Sequence, residues 1–144
     1  MDLLKPKKRR RISVLLTNLA LGGIVLVFEY GRWIEWNLTA QILEIAMIIA
    51  FVVGFINTYI KTGLWEFIHK PVKFLDEREI AVAGRSTRQA YNIFSVLVLS
   101  ILFFFAVGNL TLDMVMVIGF IVFAHLLPAS IIAWREKGDP DEKE

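Results

Sequence analysis

LTAQILEIAMIIAFVVGFINTYI, residues 38–60, carries a single acidic or basic side chain, Glu44, in 23 positions. Coiled as a helix it is roughly 35 Å long at about 1.5 Å per residue, against a bilayer hydrocarbon core about 30 Å thick. Three further runs share its character: ISVLLTNLALGGIVLVF (12–28), AYNIFSVLVLSILFFFAV (90–107) and MVMVIGFIVFAHLLPASIIA (114–133). Lipid offers a backbone no hydrogen-bond partner, so segments of this kind must be helical. A soluble bundle that buried all four would need more polar surface than 144 residues supply. The fold expected is therefore an all-α membrane protein with four transmembrane helices.

Composition narrows the chemistry. The chain is 56% apolar and lacks cysteine, which removes disulfides, thiolate catalysis and Cys-based zinc or iron–sulfur sites. A formal charge of only +2 does not favour nucleic acid as a partner. MDLLKPKKRRR ahead of the first run fits the basic part of a signal peptide. The apolar core is too long for one, however, and FEYGRWIEW after it offers no small-x-small cleavage site, so the run reads as a retained span.

Charge placement orients the chain. Lys5, Lys7, Lys8, Arg9, Arg10 and Arg11 precede the first span; Lys61, Lys70, Lys73, Arg78, Arg85 and Arg88 lie between the second and third; Arg135, Lys137 and Lys143 follow the fourth. The two opposite connections hold Arg32 alone. Basic residues stay on the cytoplasmic side, so both termini and the middle connection are expected there. Tyr30, Trp33 and Trp36 then fall at the outer interface, and Tyr59, Trp65, Tyr91 and Trp134 at the inner one. The domain scheme is a basic N-terminus over 1–11, a four-helix domain over 12–134 with a cytoplasmic connection at 61–89, and a charged tail at 135–144.

Both outer connections carry Asn-Leu-Thr, at 37–39 and 109–111, and SVLL at 13–16 is echoed by SVLV at 95–98. This points to two related helical hairpins, with each Asn placed to cap a helix start. Lys7, Lys8, Arg9, Arg10 and Arg11 are candidates for contact with anionic lipid headgroups, on the order of 1 kcal/mol per basic residue; the simpler role of the run is to fix topology.

The connection opens with GLWEFIHKPVKFL (63–75), whose mixture of Trp, apolar and Lys residues predicts a short piece lying in the headgroup plane. Pro71 should end or kink any helix there. Asp76, Glu77 and Glu79 suit the start of a new helix through its macrodipole, and the pattern runs without proline into the third span. Asp76, Glu77, Arg78, Glu79, Arg85 and Arg88 form a charged surface, read either as a solvated face or as a partner dock.

LDERE (75–79), followed by Arg85, Arg88 and Ala90-Tyr91, resembles an element of small, uncharacterised bacterial four-helix membrane proteins. The likeness covers about residues 74–92. It implies a bacterial inner-membrane protein and brings no catalytic residues with it.

Ionisable residues inside a span are functional candidates, because charge in lipid is costly. Glu44 is one; His125, three residues before Pro128, is another, with Ser100 at similar depth as its possible partner. A metal site needs further ligands, and His69 lies in the connection, so no cofactor is expected. Ala46, Ala50 and Gly54 make a small-residue row that Gly22 or Gly23 would meet. Asn18, Asn57 and Asn92 lie toward the inner ends of their spans and would form either one polar cluster or separate bonds.

No nucleophile elbow, phosphate loop or HExxH motif occurs, so an enzyme is not expected. The remaining readings are an accessory, regulatory or assembly subunit acting through its connection, with another membrane protein or itself as a homo-oligomer for partner, and a small oligomeric transporter or channel using Glu44. Size and a lone carboxylate resemble the small multidrug-resistance antiporters. Their carboxylate lies in the first span, however, and a one-sided charge bias locks this chain in one orientation.

Overall fold

The computed structural model describes residues 7–135, with side chains from Arg9 onward. The outermost basic residues, the side chains of Lys7 and Lys8 and the tail beyond Arg135 lie outside it. The described chain is all-helical: α1 (Lys7–Trp33), α2 (Leu38–Phe55) continuing as a π segment (Ile56–Ile60), the short α3 (Leu64–His69), α4 (Glu77–Val107) and α5 (Met114–Arg135). α1, α2 with its π segment, α4 and α5 are each long and apolar enough to cross a membrane.

Local chemistry sets the ends. Asn37 Oδ1 accepts the Ala40 amide at 2.8 Å and caps α2 as the sequence suggests. Its counterpart Asn109 does not cap α5; it turns the chain in the left-handed region, at φ 50°. Asp113 takes the capping role, its Oδ1 accepting the Met116 amide at 2.8 Å. Asp76 and Glu79 form a reciprocal capping box at the start of α4. From there α4 runs unbroken through Gly84 into the apolar run. Pro128 sits inside α5, in its most enclosed portion.

The helices pack in the order α2–α1–α5–α4, with α3 held against α5 and the π segment. α5 is the most enclosed and α1 next, while α2 and α4 are largely exposed. Outward faces are apolar: Leu26, Phe104 and Met114 are each more than 70% exposed. The core lies toward the end of the molecule that carries Arg10 and Arg135, called here the basic end; it is built on Val14, Leu21, Tyr59, Leu64, Leu126 and Ile132.

The α1–α2 contact differs from the expected small-residue row. Ala46 and Ala50 are exposed, whereas the less exposed positions of α2 are 40, 44, 47, 51, 54 and 55, and the buried Thr58 of the π segment continues their spacing. Spacings of three and four keep a stripe aligned on a neighbouring helix, whereas steps of four drift off it. Gly54 alone of the row meets α1: a Cβ there would lie 2.6 Å from Thr17 Oγ1. Gly23 faces Met47, and Gly22 faces open space.

Candidate functional site

Polar side chains converge near the basic end. Tyr59 is fully buried, and its hydroxyl lies 2.7 Å from Ser130 Oγ on α5. Asn18 of α1 donates to the same hydroxyl at 3.1 Å, to Ser130 Oγ at 3.3 Å and to the Val14 carbonyl at 2.9 Å. Beside them Thr58 bonds to Ser13, and its Oγ1 lies 3.3 Å from that of Thr17. A π turn holds more residues than an α turn, so the consecutive Thr58 and Tyr59 both reach the interior. Three helical segments are thereby tied together by hydroxyl and amide groups that an apolar surrounding makes costly to leave unpaired. Of the three asparagines read as one cluster or as separate bonds, Asn18 joins this network, Asn57 is half-buried and donates to its own Val53 carbonyl, and Asn92 is exposed.

Below this network the N-terminal arginines engage the end of α5. Arg10, expected among headgroups, is 2% exposed and donates from Nε to the Ala133 carbonyl at 2.9 Å. Arg11 donates from Nε and Nη2 to the Trp134 carbonyl and stands 5.0 Å over that indole ring. Carbonyls at a helix C-terminus lack intrahelical partners and carry partial negative charge, which explains why cations settle there. Arg9 is exposed.

At the opposite end, Arg32 donates from Nη1 to Asp113 Oδ2 at 2.8 Å and lies 3.5 Å from Glu29. This cluster, joining the end of α1 to the start of α5, is not apparent from the sequence. Partial burial acts to raise the Asp113 carboxyl, but the Met116 amide and the Arg32 guanidinium outweigh it and hold Asp113 below the usual carboxylate range.

The intramembrane candidates separate. Glu44 lies on the less exposed stripe of α2, and its Oε2 is buried without a hydrogen-bond partner. Ser100 does not meet His125: it is exposed and donates to its own Val96 carbonyl at 2.7 Å. His125 bonds the Ile121 carbonyl through Nδ1. Its neighbour is His69, whose ring lies parallel with centroids 6.5 Å apart. α3 causes this approach. It turns at Gly63 (φ 71°) and packs back on the bundle, with Leu64 fully buried and Trp65 edge-on to Phe55 at 5.3 Å. A pocket of about 260 Å³ opens there, lined by Phe51, Phe55, Trp65, Ile121, His125 and Leu126 among others. No group of three or more potential metal-ligating His, Cys, Asp or Glu side chains occurs among the described residues.

The charged residues of the connection stand on α4 and its cap. Asp76, Glu77, Arg78, Arg85 and Arg88 are exposed and Glu79 is half-buried. Val82, Arg85 and Gln89 lie beside Ile131, Ile132 and Arg135 of α5, and Val82 packs against the core, so only the first turn of α4, ahead of Val82, extends past the described end of that helix.

The chain matches no protein-family model, no curated protein and no solved structure.

Proposed function

We propose that the chain is a multi-pass protein of the bacterial inner membrane, built of two helical hairpins with both termini and the 61–89 connection cytoplasmic. It serves as a non-enzymatic accessory, regulatory or assembly subunit. The observation that carries this reading is the start of α4. Its first turn is held by a capping box and extends past the described end of α5, and Glu77, Arg78, Arg85 and Arg88 are exposed along it and the turns that follow. A rigid, charged helix end attached to a membrane anchor is suited to docking another protein. The exposed, apolar membrane portion of α4 offers a second surface for a neighbouring helix.

The test is purification in a mild detergent from native membranes, with photo-cross-linkers at positions 78 and 88. The expected result is one stoichiometric partner, cross-linked from these sites and lost when Arg78 and Arg88 are both changed to Glu. A partner-free homo-oligomer would contradict this reading. It would favour the transporter alternative, which the unpartnered Glu44 oxygen supports. In that case Glu44→Gln should abolish proton-linked transport while leaving folding intact.

A further inference from the structure

Four arginines from three helices meet at the basic end: Arg10 and Arg11 of α1, Arg85 of α4 and Arg135 of α5. The first two are committed to the Ala133 and Trp134 carbonyls. Arg85 and Arg135 are not: neither has an ion pair or side-chain hydrogen bond among the described residues. They share a groove of about 300 Å³ between α4 and α5, and no carboxylate among the described residues lines it. Two unpaired guanidinium groups in one groove repel each other, and an anion between them relieves that repulsion. Guanidinium groups also match phosphate oxygens in a fixed fork geometry.

We propose that this groove binds the phosphate of an anionic phospholipid, with Arg85 and Arg135 as its cationic contacts and Gln89 as a further donor. The C-terminal end of a helix ordinarily repels an anion, but here Arg10 and Arg11 already cover the last carbonyls of α5. Ile131 and Ile132 form an apolar wall beside the arginines, fit for the start of an acyl chain. Trp134, 46% exposed, marks the level at which indole rings favour a membrane interface. That position selects a lipid phosphate over a free one. Basic pockets between transmembrane helices are a recurrent form of headgroup site. The inference rests on the membrane placement of the four helices and not on a protein partner, so a chain purified alone leaves it standing.

The test is native mass spectrometry of the full chain from micelles supplied with equal phosphatidylglycerol and phosphatidylcholine. One phosphatidylglycerol per chain should be retained in preference. Arg85→Gln or Arg135→Gln should weaken retention about fivefold, and the pair about thirtyfold. Arg78→Gln, which removes the same charge outside the groove, should change nothing. Since a misfolded Gln variant would also lose lipid, the double Arg→Lys variant is run beside it and should keep most of the binding. Equal retention of the two lipids would overturn the proposal. So would undiminished phosphatidylglycerol on the double Gln variant, loss on the double Lys variant equal to that on the double Gln variant in folded protein, or displacement of the lipid by millimolar inorganic phosphate, which would identify a free-anion site.

Discussion

The Tyr59 hydroxyl serves two partners, Asn18 and Ser130, from a fully buried ring. Tyr59→Phe keeps the ring and removes the link, and should destabilise the protein by about 1 kcal/mol, the scale of hydrogen bonds inside membrane proteins. Unfolding of the purified protein in mixed micelles of rising dodecyl sulfate content would measure it. Close packing gives a sharper contrast. Gly54→Ala drives a methyl to 2.6 Å from Thr17 Oγ1, within a helix pair that must separate to admit it, and should cost about 1–3 kcal/mol. Gly22→Ala meets nothing within 4 Å and should be neutral in the same assay. The sequence marks both glycines as packing candidates and cannot distinguish them, because which face of α1 meets α2 depends on tertiary contact. Tyr59 reads as an interfacial aromatic for a similar reason: its burial follows from a π turn, and hydropathy carries no sign of that.

Helix ends show how far local chemistry reaches. The Asn37 cap and the start of α4 at Asp76 follow from side-chain chemistry alone and are visible in the sequence. The α5 cap is not, since Asn109 repeats the Asn-Leu-Thr motif while Asp113 does the capping. Asp113→Ala removes both the cap and the Arg32 ion pair and should cost about 1 kcal/mol. Asp113→Asn should cost less, because asparagine caps as well and only the partly exposed ion pair is lost. The folded Asp113 carboxyl titrates below its unfolded range. Its contribution is therefore complete above the unfolded pKa and fades as pH falls through the folded one. Wild type should lose stability on acidification in that window, and Asp113→Asn should lose less. At α4, Asp76→Ala breaks the capping box, and amide exchange at Glu77–Ile80 should quicken severalfold while the apolar part of the helix stays protected.

For the whole molecule, hydropathy suffices for four spans because lipid leaves the backbone no alternative to helix. The packing order is beyond it. α5 lies at the centre and α2 and α4 on the flanks, although all four runs are similarly apolar. The return of α3 onto the bundle, which brings His69 to His125, depends on Trp65 and Leu64 finding an apolar groove that only the assembled helices create. The polar network likewise gathers Asn18, Tyr59 and Ser130 from distant parts of the chain. Sidedness rests on charge alone, and the absence of cysteine makes it directly measurable. Ser86 is buried and a poor reporter, whereas Thr87 and Asn109 are exposed. The decisive measurement is labelling of single cysteines at those two positions in intact cells with a membrane-impermeant maleimide. The expected result is that Asn109→Cys reacts from outside and Thr87→Cys reacts only after lysis. Labelling of Thr87→Cys in intact cells, with Asn109→Cys protected, would contradict the proposed orientation and with it a cytoplasmic docking surface on α4.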